Sequence, residues 1–302
     1  MIRRNLPTST DAMSLTLDPI IAATDFSDDA GHALRRAARL AARHRARLEL
    51  LHVVDRVALD AVRVWTRNPV DLAERLVDDA RRLLAECAAA LGTVAAPRVA
   101  VGDVQEEILS SCAGAGLLAL GAHGVNPLHD AIVGTTAARL IGRCRTPVLV
   151  VHQPPRTDYR NALVAVDLLS GSEHPLAAAA RIAPDADLSA LHAYEVPFEG
   201  MLQRSGVEQA DIDLHRAEAF RRASEEIRRL STLASGDAER FLPIVERGDA
   251  ARLCLERAQA IGADLIVIGK RKRSALEALA LGSVTRHVLA NAKADVLVLP
   301  LA

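Results

Sequence analysis

The stretch VGDVQEEILSSCAGAGLLALG, Val101 to Gly121, returns later in the chain as RGDAARLCLERAQAIGADLIVIG, Arg247 to Gly269. Each copy runs from a Gly-Asp pair through a helical pattern into a short apolar run that ends on glycine. Farther on, GTTAARLIGRCRTPVLVV from Gly134 is matched by GSVTRHVLANAKADVLVL from Gly282. Before both, LELLHVVD (Leu48 to Asp55) is echoed by LSALHAYE (Leu188 to Glu195). Gly121 and Gly269, like Gly134 and Gly282, stand 148 residues apart, so the last third of each half aligns without a gap. The chain is a duplication, and at 302 residues each half has the length of one ordinary domain.

Within each half, short apolar runs alternate with longer helical patterns. The first half offers strands at Ile20 to Thr24, Leu48 to Val54, Arg98 to Val101, Leu117 to Leu120 and Val148 to Val151. The second offers them at Ala162 to Val166, Asp187 to Tyr194, Phe241 to Val245, Leu265 to Ile268 and Val296 to Leu299. Nearly continuous apolar strands are those of a parallel sheet covered on both faces. Asp28 to Arg45 has Ala30, Leu34, Ala37, Ala38 and Ala41 at helical spacing. Asn68 and Pro69 introduce a helix from Val70 to Leu91, and Asp103 with Glu106 forms a capping-box pattern. The expected fold is α/β: two tandem doubly wound domains, each a five-stranded, mainly parallel sheet flanked by helices. The expected divisions are a polar tail over 1–17, a first domain over 18–152, a linker over 153–158 marked by Pro154 and Pro155, and a second domain over 159–302. The tail is expected to be disordered.

Composition closes several functional classes. Thirty-seven basic residues against 38 acidic ones leave a net charge of −1, which removes the electrostatic case for bulk nucleic-acid or anionic-membrane binding. Four Phe, two Tyr and one Trp give no row of stacking platforms for single strands. No apolar run approaches the roughly 20 residues that span a bilayer, and the N-terminus lacks a secretion-signal core. Cys87, Cys112, Cys144 and Cys254 form no CxxC pair and read as buried free thiols, so a cytoplasmic location is expected.

In an open parallel sheet, ligands bind beyond the carboxyl ends of strands where the connections reverse. Asp25 follows the first strand; Gly121, Gly124, Gly134, Thr135 and Thr136 follow the fourth. Glycines let the backbone approach a ligand, and Gly134 with Thr135 opens a helix whose free N–H groups suit phosphate. The spacing G-x2-G-x9-G-[ST] after the fourth strand, an Asp after the first and an LHVV-like second strand resemble the universal stress protein family, in both halves. The resemblance implies an ATP site in the first half. Asp25 would lie beside the nucleoside and help hold Mg2+, the main chain of Val53 would read the adenine edge, and Gly121, Gly124, Gly134, Thr135 and Thr136 would surround the triphosphate. It also implies that the last strand of each half is a sheet edge that pairs with its counterpart, so the halves are expected to pack as an intrachain pseudo-twofold dimer, with further homodimerisation left open.

The second half keeps Asp167, Gly269, Gly282 and Ser283, but Lys272 stands at the position of Gly124 and Ala193 at that of Val53. A degenerate second site is expected, with the run Lys270 to Arg273 as a solvated loop. Gly116 replaces the Asp that precedes the fourth strand as Asp264 in the second half, a change expected to affect a turn rather than the pocket. Gly269-Lys270 lacks Walker A spacing, and Gly114-Ala115-Gly116 lacks that of a dinucleotide fold. His52 and His192 recur at one place in the second strand, which favours a structural role. His123 lies in the glycine loop, as a phosphate donor or a surface residue, and His129-Asp130 has no zinc-ligand spacing. No catalytic residue is assigned, since GxSxG, HExxH and paired-carboxylate patterns are missing. The expected activity is nucleotide binding by a stress-response regulator or sensor acting on a protein partner not identifiable from sequence. A slow ATP hydrolase or nucleotidyl-transfer enzyme is one alternative, and an adaptor holding a non-nucleotide ligand another.

Overall fold

The computed structural model describes residues 16–65, 69–124, 135–169, 171–194, 209–270 and 281–300. The first half contains β1 (Ile20–Ala23), α1 (Asp28–His44), β2 (Leu48–Asp55), α2 (Arg56–Trp65), α3 (Pro69–Ala90), β3 (Ala96–Gly102), α4 (Val104–Ser111), β4 (Leu117–Gly121), α5 (Thr135–Arg143) and β5 (Val148–Val151). The second contains β6 (Asn161–Ala165), α6 (Glu173–Ile182), β7 (Asp187–Tyr194), α7 (Gln209–Ser235), β8 (Phe241–Arg247), α8 (Ala250–Ala260), β9 (Leu265–Lys270), α9 (Ser283–Asn291) and β10 (Asp295–Pro300). All ten sequence-derived strands are present, most of them a residue or more longer than the apolar run alone suggests. α2 is an addition: it leaves β2 with no intervening glycine or proline, and its one signal is Asp55, whose side chain accepts from the Val57 N–H at 2.8 Å. Asp103 caps α4 by accepting from Gln105 N and Glu106 N, each at 3.0 Å, and Asp249 caps α8 through Arg252 N at 2.8 Å.

The two expected five-stranded sheets are one ten-stranded sheet, ordered β3-β2-β1-β4-β5-β10-β9-β6-β7-β8. Every pairing within a half is parallel; β5 and β10 pair antiparallel across the middle. Leu149 lies opposite Leu297, its own counterpart in the repeat, with Val148 opposite Val298 and Val150 opposite Val296. The pseudo-twofold axis therefore passes between the two leucines. The core continues across this seam on both faces. On one, Leu34, Leu84, Leu149, Leu176, Ile227 and Leu297 belong to a single apolar cluster covered by α1, α3, α6 and α7. On the other, Ile108, Leu140, Val150, Leu253, Val288 and Val296 join under α4, α5, α8 and α9. Full burial of one such side chain contributes roughly 1.5–3 kcal/mol, which is why strands covered on both faces carry few polar residues.

Polar groups fix the seam where apolar packing alone would slide. Asp295, 2% exposed, accepts from Arg36 Nε at 3.0 Å, Tyr159 Oη at 2.8 Å and the His152 N–H at 3.0 Å. Arg36 also donates to the Thr157 carbonyl at 2.8 Å, and its guanidinium carbon sits 4.1 Å from the Tyr159 ring centroid. One helix of the first half, the connecting segment and the last strand of the second half thus meet at one carboxylate. Burial pushes the Asp295 carboxyl upward against the opposing pull of Arg36, Tyr159 and the His152 amide.

Near the chain start, Leu17 is 3% exposed and belongs to the core, so the packed chain reaches into the segment read from sequence as polar tail. Residues 1–15 of that tail lie outside the described residues. The Gly116 exchange acts at the strand starts. Asp264 accepts from Arg160 N at 2.8 Å and Asn161 N at 3.2 Å, whereas Gly116 leaves room for the main chain of Thr16 to Asp18 and donates to the Pro19 carbonyl at 2.9 Å.

Asp295→Ala strands a buried guanidinium and is expected to lower the unfolding free energy in urea by about 3 kcal/mol or more. Asp295→Asn, which keeps an acceptor, is expected to lose less.

Candidate functional site

The strand order reverses between β1 and β4 in the first half and between β6 and β9 in the second, which places a crevice at the carboxyl end of each pair. In the first crevice the turn after β1 is built from its own side chains. Thr24 Oγ1 accepts from Phe26 N at 3.0 Å, and Phe26 takes a left-handed φ of 65°. Asp25 Oδ1 accepts from Ser27 N at 3.0 Å and Ser27 Oγ at 2.6 Å. The same Ser27 oxygen accepts from Ala30 N at 3.2 Å, so the cap of α1 also orients Asp25. The second crevice repeats the device: Asp167 Oδ1 accepts from Leu169 N at 3.1 Å and Ser172 Oγ at 2.8 Å, and Leu168 has φ of 56°. Ser27 and Ser172 escaped the sequence reading, although a serine opening the helix after each strand-end Asp was the available signal.

β2 supplies main-chain groups. Its Leu51 carbonyl accepts from Thr24 N at 2.9 Å, the last rung beside β1. Strand alternation then directs the Val53 amide and carbonyl to the same side, past the end of β1 and into the crevice. His52 Nδ1 lies 2.8 Å from the Thr24 carbonyl, and His192 Nδ1 lies 3.1 Å from that of Val166. A carbonyl only accepts, so each Nδ1 carries the proton and donates. The repeated histidines are strand-end braces; Phe26 packs on His52 with ring centroids 4.3 Å apart.

The loop after β4 meets α1. A Cβ on Gly121 would stand 2.7 Å from Ala30 N and from the Asp29 carbonyl carbon. Packing against the first turn of α1 thus accounts for this glycine, and only its main chain is left to a ligand. Gly124 differs: a Cβ there would lie 2.8 Å from Asp25 Oδ2. The structure therefore brings together Asp25 and Gly124, two residues the sequence analysis chose from different strand ends. His123 donates through its main-chain N–H at 3.2 Å and pairs through Nδ1 at 2.7 Å with Asp29 Oδ2, which ties the loop to α1. Thr136 is exposed in the first turn of α5, which begins at Thr135. Gly134, like His129 and Asp130, lies outside the described residues.

The second crevice is a cavity of about 580 Å³, lined by Asp167, His192, Ala193, Gly269, Lys270, Gly282, Ser283 and Thr285 among others. All the described members of the expected degenerate site border it; Lys272 lies outside the described residues. Gly282 is the N-cap of α9 and makes no side-chain cap, so the first-turn amides of that helix face the cavity mouth. Lys270 corrects the expectation of a solvated basic run. It is 5% exposed, and its Nζ donates to the carbonyls of Ile141 at 2.6 Å and Gly142 at 2.8 Å, at the end of α5 in the other half. A cation there satisfies last-turn carbonyls of a helix and offsets its dipole. Among the described residues, no three His, Cys, Asp or Glu side chains gather as a metal site, and no helix is long and apolar enough to cross a membrane.

Comparison with known proteins agrees with this architecture. The model of the universal stress protein family matches residues 16–152 and again 158–300. A universal stress protein of Mycolicibacterium smegmatis is 24% identical over 303 residues, covering 92% of this chain and 96% of that one. One from Mycobacterium tuberculosis is 27% identical over 301 residues, covering 92% and 95%. The crystal structure of a universal stress protein from Archaeoglobus fulgidus superimposes with a TM-score of 0.67 at 17% identity, over 95% of this chain and 99% of that one.

His152, beside the seam, is held down at about 4 by burial, with repulsion from His123 adding and attraction to Asp29 opposing. An unfolded histidine titrates near 6.5, so the unfolded chain binds more protons between these values. Stability present above pH 6.5 should be lost as the pH falls toward 4, by up to about 3 kcal/mol. Urea unfolding across this window, compared between the wild type and His152→Gln, isolates this loss: the variant should lose less.

Proposed function

The chain belongs to the universal stress protein family, and from that premise we propose that it binds ATP with Mg2+ in the crevice of its first half and acts in the cytoplasm as a stress-response regulator or sensor. The observation that carries this reading is the meeting of Asp25 and Gly124 across the point where the strand order reverses. A carboxylate held by a helix cap faces a bare stretch of main chain, with the Val53 peptide groups on the neighbouring strand. In this assignment the Val53 amide and carbonyl pair with the adenine edge, and Asp25 lies beside the ribose. The main chain at Gly121, Gly124 and Gly134, with Thr135 and Thr136, surrounds the phosphates. Asp25 fits a supporting role toward Mg2+: it is one exposed carboxylate, and the remaining oxygen ligands would come from the nucleotide and water. Nucleotide can bias a partner-binding surface only as far as it binds one conformation better than another.

A second reading draws on the cavity of the second half, which offers Asp167, the Ala193 main chain and the start of α9 in the same relative places. There the nucleotide would occupy the second half, in addition to the first or in its place.

Calorimetric titration with ATP and Mg2+ distinguishes the two. Gly124→Lys introduces a long side chain against Asp25 and should weaken first-half binding by about tenfold or more, which is ~1.4 kcal/mol. Thr285→Arg, which fills the second cavity, should leave that binding unchanged. Equal affinity and stoichiometry in wild type and Gly124→Lys would remove the first-half assignment, and a site retained in Gly124→Lys but lost in Thr285→Arg would place the nucleotide in the second half. ADP formed on prolonged incubation, and abolished by Asp25→Ala with binding intact, would convert the reading to a slow hydrolase. Release of a different small molecule from freshly purified protein on denaturation would favour the adaptor.

A further inference from the structure

Lys270 belongs to one half and its charge is placed in the other. Its main chain ends β9 beside Pro300 of β10, while the side chain of this residue, 5% exposed, reaches the C-terminal end of α5. There Nζ donates to the carbonyls of Ile141 at 2.6 Å and Gly142 at 2.8 Å, with that of Cys144 at 3.5 Å. The last carbonyls of a helix have no N–H of their own helix to accept from, so the ammonium takes the place of the missing donors.

The seam does not need this cation. At the pseudo-symmetric place stands Ala122, 1% exposed, whose methyl group has nothing to donate. The carbonyls that correspond to those of Ile141 and Gly142 belong to Leu289 and Ala290 of α9. That helix closes its own end, with Asn291 Nδ2 donating to the His287 carbonyl at 2.8 Å. In α5 the residue at the place of Asn291 is Arg143, and it is turned away to Glu106 of α4 at 2.7 Å. One helix of the pair therefore ends on a neutral local cap, and the other on a charge from across the seam.

A helix carries partial positive charge at its first turn and partial negative charge at its last. The nine residues of α5, Thr135–Arg143, span about 14 Å, and Ala137, Leu140 and Ile141 seat it in the apolar layer. An ammonium on the negative pole cancels that end of the dipole and leaves the positive end, at Thr135 and Thr136, to act on an anion unopposed. The charge of Lys270 adds to the same field through buried protein, where dissolved salt screens it little.

We propose that Lys270 is a positioning residue of the first-half site, one that makes the site select phosphate-bearing ligands by holding the far end of α5. This rests on the first-half assignment made above. Phosphate at the first turn and ammonium at the last act on one helix from its two ends, so each strengthens the binding of the other. A nucleoside without phosphate gains nothing from the arrangement. The second half thereby helps to set the ligand charge that the first half accepts.

The test is calorimetric titration with ATP and Mg2+, and with adenosine by displacement of ATP, on the full-length wild type, Lys270→Gln and Lys270→Arg. Gln keeps an N–H donor for the α5 carbonyls but loses the charge; Arg keeps both. Lys270→Gln should weaken ATP by roughly tenfold and leave adenosine unchanged, and Lys270→Arg should restore most of the ATP affinity. Unchanged ATP affinity in Lys270→Gln, or an equal loss for ATP and adenosine, would overturn the proposal, the second result marking a prop for the fold alone. Gly124→Lys separates the two assignments. If it weakens ATP while Lys270→Gln does not, the first-half site stands and the role of Lys270 falls. If it binds ATP as the wild type does while Lys270→Gln has lost it, Lys270 meets the ligand directly in the second cavity, which it borders, and both assignments fall.

A wild-type measurement covers the case in which the Gln variant does not fold. An amine-reactive label read by mass spectrometry should modify Lys270 more slowly than exposed Lys293. ATP with Mg2+ should slow Lys270 further, adenosine should not, and Gly124→Lys should abolish the slowing. Labelling of Lys270 that ignores ATP would overturn the proposal.

Discussion

The antiparallel pairing of β5 with β10 is the contact on which the rest of the molecule depends. Each half, folded by itself, would end in an open edge with four buried apolar residues, Val148 to Val151 or Val296 to Leu299, and a row of unsatisfied amides and carbonyls. Joined at Leu149 and Leu297, the two edges satisfy one another, and the apolar layers above and below become continuous. Duplication within one chain makes the partner permanently available. The Arg36–Asp295–Tyr159 cluster then restricts this apolar seam to one register, because a slip would bury a carboxylate or a guanidinium without its partner.

The same seam carries the differences between the halves. Both crevices are made by the same arrangement: a strand ends, an aspartate is followed by a left-handed residue and accepts from the serine at the start of the next helix, and a histidine on the neighbouring strand takes the last carbonyl. At the position after Gly121 and Gly269 the repeats part. Ala122 is small and buried, whereas Lys270 crosses the seam to the end of α5. A single substitution at a strand end thus places a cation of the second half under the helix whose other end opens at Thr135 and Thr136, residues assigned to the phosphates of the first. The two halves share a fold and a turn chemistry, yet present different groups to solvent and to a ligand.

Much of this was legible in the sequence. β-branched runs separated by helical periods specify a parallel sheet, because strands buried on both faces must be apolar at every position. The 148-residue spacing specifies the duplication. Asp25 and Gly124 could be selected from strand-end positions, Val53 only through the family resemblance, and a structural role for His52 and His192 from their equal placement in two copies. α2 was not legible, because its only start signal is an aspartate that also ends a strand. Gly121 could be chosen, but its reason could not: the backbone it accommodates is that of α1 at Asp29 and Ala30, distant along the chain and adjacent only after the sheet forms.

What the sequence determined by itself is local and periodic: the elements, their order, the repeat and the residues at strand ends, all of which follow from side-chain spacing and turn chemistry. Tertiary structure decided which of those residues touch. Lys270 in a basic run reads as solvated until the antiparallel seam carries it over the carbonyls of Ile141 and Gly142. Charge pairing depends on distance in space, and no period along the chain encodes a distance that only the folded pairing of two edges creates.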